Sequence, residues 1–462
     1  MSTERIQAPM TLSAVRHCID AQQAAHLATL QRLVAQPSIS SRNEGVVECA
    51  GLLRDLMVAG GIETEILATA GQPVVFGQVR AGGDEPRPTV LFYGHYDVQP
   101  PGPLDSWTSP PFEPTVRDGR LYGRGTGDNK GQLLAHILAV QAWLEAAGEL
   151  PVNVKFLFEG EEEIGSPSLA PFVAAHRDLL ATDLVLTADG PMHESGAPMV
   201  VFGVRGVMNF DLHLQTATTD HHSGNRGGVI ADAAWEMVQL LASLRDPSGR
   251  ITIEGFEEQV RPPTPFEAKL LEQLPFDPKQ LARVYGVDAV RQPAAEFYRH
   301  LMFKPTLTIN GLSSGHVGEG TRNIIPSTAT ARLEVRLVAD QDPDDLIRKI
   351  KAHIARHHPS VHVIRREEDM HPSRTSAELP VSQAVIAAVA KGFGAQPLVY
   401  PCMGGSLPDQ VWTRILGAPS IMVPYANADE ANHAPNENIR LDCFHAGMLC
   451  TATLIEELSR LD

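Results

Sequence analysis

Three clusters of carboxylates and imidazoles stand where apolar stretches of this 462-residue chain stop. They are Gly94-His95-Tyr96-Asp97, Gly127-Asp128-Asn129-Lys130-Gly131 and Glu159-Gly160-Glu161-Glu162-Glu163, and Asp189 and His433 end two further apolar runs. Adjacent carboxylates repel one another unless something positive sits among them. Histidine with aspartate or glutamate is the donor set for zinc or a related divalent ion. Each residue also has an everyday reading. His95 with Asp97 reads as a core histidine beside a turn aspartate, and Asp128 as a helix N-cap. The glutamate run reads as a solvated helix start favoured by the helix dipole. Asp189 reads as a turn residue, and His433 is one histidine among 18. Residues 123–128 are glycine-rich, but the spacing is not Gly-x-Gly-x-x-Gly and no Gly-Lys-Ser/Thr follows, which argues against a phosphate loop. Taken together, five oxygen or nitrogen donors at the ends of apolar runs argue for a metal site. Asp97, two residues past His95, is spaced to orient that ring. The two oxygens of Asp128 suit a bridge between two ions. One glutamate of the run could bind metal while its neighbour takes a proton from water.

The elements that must position these groups follow from periodicity. Residues 24–34 predict an amphipathic helix, and residues 89–93 a short buried strand. Leu134, Ile137, Leu138 and Leu144 predict a helix over 131–147, closed by Gly148. Val152, Val154, Phe156 and Phe158 alternate as a strand, and residues 184–186 form another. Strand–helix–strand order implies an α/β layer with a mixed, largely parallel sheet flanked by helices. Ligands bind beyond the carboxyl ends of such strands, where His95, Glu162 and Asp189 fall.

The pattern changes near Arg205. Met208, Phe210, Leu212 and Leu214 alternate with polar residues, a helix follows over about 231–244, and residues 261–296 are Pro- and Glu-rich without clear order. Strands at 306–309 and 329–337, a helix opened by Asp342-Pro343 and a strand at 361–364 complete a ferredoxin-like α+β order. The expected organisation is a catalytic domain, residues 1–204 and 375–462, interrupted by an inserted domain, residues 205–374.

With 38 basic against 55 acidic residues the net charge is −17, which argues against nucleic-acid and anionic membrane partners. No apolar stretch approaches the roughly 18 residues that span a bilayer. Five scattered cysteines without a Cys-x-x-Cys pair, and a polar start lacking a signal-peptide core, predict a cytoplasmic protein.

The runs Gly94-His95-Tyr96-Asp97-Val98-Gln99-Pro100, Leu121-Tyr122-Gly123-Arg124-Gly125 with Asp128-Asn129-Lys130-Gly131, and Glu159-Gly160-Glu161-Glu162-Glu163-Ile164-Gly165-Ser166 resemble the co-catalytic zinc peptidases. That family includes carnosine dipeptidases, glutamate carboxypeptidase, aminoacylase and acetylornithine deacetylase. The motifs follow the family's order over nearly the whole chain, and His95 to Pro100 is nearest the carnosinase-like dipeptidases. The resemblance implies two divalent ions per subunit: zinc, with manganese or cobalt as substitutes. His95 and Asp189 would hold one, Glu163 and His433 the other, and Asp128 would bridge them. Asp97 would orient His95, and Glu162 would be the general base and acid, with Glu161 at a variable position. His222, with His221 as a rival, would polarise the scissile carbonyl, reaching across a homodimer formed through the inserted lid domain. Asn323, Arg336 and Ser406 would bind the substrate's carboxylate and backbone. Asn129 departs from the family, where many dipeptidases carry a second aspartate. The implied reaction is amide hydrolysis in dipeptides or other short substrates with a free carboxylate. Deacylation of N-acyl amino acids is the alternative, and a non-catalytic binding relative the remote one.

Overall fold

The computed structural model describes residues 12–83, 85–366 and 369–461; the polar start, residues 1–10, lies outside the described residues. An eight-stranded sheet forms the larger layer. In chain order its strands are β1 (Glu63–Leu67), β2 (Val74–Val79), β3 (Thr89–His95), β4 (Asn153–Glu159), β5 (Leu184–Thr187) and β6 (Met199–Val201). After a second sheet containing β7 (Gly206–Gln215), β8 (Thr306–Ser314), β9 (Thr328–Leu337) and β10 (His362–Arg365), the chain returns with β11 (Leu398–Tyr400) and β12 (Ser420–Met422). The spatial order is β1-β2-β4-β3-β5-β12-β6-β11. The middle four, β4, β3, β5 and β12, run parallel. The pairs β1/β2, β2/β4 and β12/β6 are antiparallel, so the sheet is mixed, with a parallel centre.

Successive strand side chains point to opposite faces, and here both faces are apolar, as a sheet covered on both sides requires. Val90 and Phe92 pack into one core with the helices Gly131–Ala147, Pro380–Phe393 and Leu441–Leu458. Leu91 and Tyr93 face the other way, against Phe172, Val173 and Trp412. The helix Gly131–Ala147 is buried at every position from Gly131 to Val140, because it lies between the sheet and the helix Leu441–Leu458. Its Gly148 takes the left-handed conformation at φ 80° and closes the last turn.

The smaller sheet has the order β8-β9-β7-β10, wholly antiparallel. With the helices Ala233–Ser243 and Pro343–His357 on it, this is the ferredoxin-like arrangement, closed around its own core of Phe210, Leu212, Leu333 and Ile350. Residues 261–296, which had no evident order, contain helices Pro265–Gln273 and Pro278–Tyr285 and begin a third, Ala294–Phe303. Leu271, Tyr298 and Met302 pack with Cys402, beside Leu398 and Tyr400 of β11. Part of the inserted segment therefore leans on the edge of the larger sheet rather than on the smaller one.

Candidate metal centre

Parallel strands place their carboxyl ends at one edge, and three of the five donors arrive there. His95 is the last residue of β3 and stands opposite Glu159, the last of β4. Glu162 and Glu163 follow in a short turn, and Asp189 lies two residues past β5. Asp128 comes from the loop entering the helix Gly131–Ala147, and His433 from the loop after β12.

Two donor groups result, His95 with Asp128 and Asp189, and Asp128 with Glu163 and His433. His95 Nε2 lies 3.0 Å from Asp128 Oδ1 and 3.8 Å from Asp189 Oδ2. His433 Nε2 lies 3.0 Å from Asp128 Oδ2 and 3.0 Å from Glu163 Oε2. Asp128 thus offers one oxygen to each group. His95 Nε2 is buried without a hydrogen-bond partner among the described residues. A buried ring nitrogen aimed at carboxylate oxygens, with no proton acceptor geometry satisfied, fits a divalent cation between them.

Neighbouring polar groups hold the donors. The His95 ring, through Nδ1, meets the Asp97 carbonyl oxygen at 3.0 Å and its carboxylate at 3.3 Å. The Asp97 carboxylate also accepts the backbone N–H groups of Glu162 and Glu163, at 3.2 and 3.1 Å. One aspartate therefore fixes both the imidazole and the glutamate turn. Gln99 donates to Glu163 from its backbone and side chain, at 3.1 and 2.9 Å. Asn129 Oδ1 accepts from His95 N, while its amide nitrogen donates to Ala188 O and Asp189 Oδ1. An aspartate at 129 would have no N–H to give Asp189.

The electrostatics are those of a carboxylate nest. Burial pushes Glu162 up to about 8, with Asp189, Asp128 and Glu163 adding to the rise. Asp189 is likewise pushed up to about 6. Burial disfavours charge on Asp128, yet the imidazoles of His433 and His95 hold it below the usual carboxylate range. Burial also opposes charge on His95, but Asp128 and Asp97 outweigh it and the ring stays well above its ordinary value. Hydrogen bonds to Asp128 and Glu163 carry His433 up to about 10. The two rings supply the positive charge that the acids demand. Glu162 belongs to neither donor group, and among the described residues nothing hydrogen-bonds its carboxylate. It lines a narrow pocket with Tyr93, Asp189, Leu407 and Trp412.

The remaining sequence-derived residues form two separate pairs. His222 is exposed on a two-residue strand opposite Ile324, and Ser223 N donates to Asn323 O at 2.9 Å. Arg336 Nη1 donates to Ser406 Oγ at 2.8 Å. Neither pair hydrogen-bonds to the donor groups among the described residues. Arg336 also forks onto Glu334, at 2.9 and 3.1 Å, a partner the sequence reading missed. Residues two apart on a strand share a face, and that spacing was the available signal.

A family model described as peptidase family M20/M25/M40 matches residues 91–457. The chain belongs to this family. It is a metallopeptidase, and its fold class is that of the family. It is 28% identical over 472 residues to the mouse Beta-Ala-His dipeptidase, covering 97% of this chain and 96% of that protein. It is 28% identical to a Cys-Gly metallodipeptidase of Schizosaccharomyces pombe, covering 97% and 99%. Among solved structures, an M20 family metallo-carboxypeptidase from Sulfolobus solfataricus superposes with a TM-score of 0.81 at 32% identity, covering 94% of this chain and 99% of the other. Within the described residues no helix is long and apolar enough to cross a membrane.

Proposed function

We propose that this metallopeptidase is a dipeptidase whose two divalent ions, zinc by preference, are held by His95 and Asp189 at one position and by Glu163 and His433 at the other, with Asp128 shared. The observation that carries the reading is the placement of the two Asp128 oxygens, each 3.0 Å from a different imidazole. The bound ions supply Lewis acidity toward the amide oxygen and acidify water. Glu162, which lines the pocket with no hydrogen bond to its carboxylate among the described residues, takes the proton of the attacking water and returns it to the leaving amine. Asp97 and Gln99 keep His95 and Glu163 in place while charge develops. Peptide cleavage in short substrates with a free carboxylate is the reading the relatives favour, since both of those named act on dipeptides by name. A panel of dipeptides beside N-acetyl and N-succinyl amino acids, with zinc, manganese or cobalt added, is expected to show turnover of the dipeptides. Turnover confined to the acyl compounds would make the chain a deacylase.

Arg336 and Ser406 are assigned to the substrate carboxylate, with Asn323 on its backbone; the carboxylate would displace Glu334 from the guanidinium fork. His222 is assigned to the scissile carbonyl, and its exposure, with no hydrogen bond to the donor groups among the described residues, suits delivery from a second subunit. The division into residues 1–204 with 375–462 and an inserted lid, residues 205–374, belongs to the same reading. So does a homodimer through that lid. Its outer strand β8 has a neighbour on one side only, and Ile309 and Leu312 on it are about half exposed, at 50% and 52%. Mixing inactive Glu162→Gln chains with inactive His222→Ala chains is expected to restore part of the activity, because one active site of each mixed dimer would be whole. No recovery despite formed mixed dimers would remove His222 from the partner's site.

A further inference from the structure

The strand ends that carry His95 and Asp189 are fixed by the sheet, but Asp128 and His433 lie on loops. Loops hold a donor in place only when something pins them. Glu437 lies four residues past His433, and its side chain is fully buried. One carboxylate oxygen accepts the backbone N–H groups of Gly127 and Asp128, both at 3.0 Å. The other accepts Gly125 N at 3.0 Å and Arg124 Nη1 at 2.6 Å. The Arg124 side chain is itself 1% exposed. Its second terminal nitrogen donates to Pro100 O and Ala434 O, at 3.4 and 3.3 Å. Three loops therefore meet on one buried ion pair: the one after His95, the one carrying Asp128 and the one carrying His433.

The loop around His433 is constrained on its other side as well. Ala431, His433 and Asn436 all take positive φ, at 58°, 56° and 65°. A non-glycine residue keeps that conformation only where its surroundings enforce it. Asn436 is tied to Thr108 N and Ser106 O, each at 2.8 Å.

We propose that Glu437, with Arg124, is a positioning residue that sets the spacing between Asp128 and His433 and so the size of the cage between them. This rests on the reading that those residues hold metal. A carboxylate is needed at 437 because four N–H groups converge on it and all are donors. A glutamine keeps one acceptor oxygen, but turns an NH2 toward Arg124 or toward the loop.

The test uses the full-length enzyme stripped of metal and titrated with cobalt(II) against a chelator. In Glu437→Gln the cobalt dissociation constant is expected to rise about 10–100-fold, and the visible cobalt spectrum to change as the geometry loosens. Removing one partner of a buried pair strands the other charge, so the double variant Arg124→Met with Glu437→Gln, which removes both charges of this pair, is measured alongside. It is expected to show the same weakening, and it carries the reading if the single variant does not fold. Wild-type cobalt affinity and spectrum in either folded variant would overturn the clamp. A wild-type enzyme that takes up no cobalt would overturn the metal reading instead, so the two failures are distinguishable.

Discussion

Glutamine in place of Glu162 is expected to lower kcat by about 10²–10⁴-fold, the usual worth of a positioned general base, while the ion content per chain stays that of the wild type. The substitution keeps the shape of the side chain and removes only its capacity to accept a proton. Metal content should hold because Glu162 is in neither donor group. The sign of the pH dependence follows from its surroundings. Burial among like charges pushes Glu162 up to about 8 before any cation is bound. Cations entering between the carboxylates favour the ionised form and draw that value down. Activity should then climb with pH as Glu162 loses its proton, and the climb should be absent from the residual activity of the variant. A kcat/KM profile with metal analysis of both proteins checks this. Unchanged turnover would mean that another group moves the proton.

Alanine at Asp128 should do more damage, since it removes the one carboxylate common to both donor groups. Neither ion is expected to be retained stoichiometrically, and activity should fall at least as far as in the Glu162 variant. Metal loading offers a second readout. In the metal-free protein Asp128 and its neighbours hold His95 well above its ordinary value and His433 up to about 10, so His433 carries a proton at neutral pH and the protonated form of His95 is favoured. A metal takes only the neutral ring. Loading at pH 7 should therefore release at least about one proton per chain, that of His433, with further release from His95 and from Glu162 as cations draw its value down, and affinity should strengthen as pH rises. Calorimetry in buffers of differing ionisation enthalpy measures the release. Stoichiometric retention of both ions by Asp128→Ala would rule out a bridging role.

Much of the local structure was legible because periodicity reports burial along a single segment. The helix Gly131–Ala147 follows from apolar spacing, and β7 and β9 from alternation. The Pro- and Glu-rich stretch was not legible by that route, although it carries its own start signals. Thr264 caps the helix Pro265–Gln273 in a capping box with Glu267, and Asp277 caps the next, each with proline in its first turn. Its amphipathic faces are short and pack on an edge, so apolar periodicity is weak there while capping chemistry is explicit. β1 and β2 went unnoticed for a related reason. β1 is an edge strand nowhere fully buried, and β2 is buried at four successive positions, so neither shows a clean alternation.

The sequence alone determined which residues could do chemistry here and where each sits relative to its own strand or helix, because an apolar run that ends in acids and histidine leaves a local pattern. Only the tertiary structure decided which of them meet. The strand order β4-β3-β5-β12 brings Glu163, His95, Asp189 and the approach to His433 to one edge, and nothing in chain order dictates that arrangement. The same folding paired Arg336 with Ser406, left His222 at the surface and buried Glu437 under the Asp128 loop. Such contacts join residues up to several hundred positions apart. They depend on how buried faces pack and on which polar groups must find partners once water is gone, and neither is written in the spacing of any one segment.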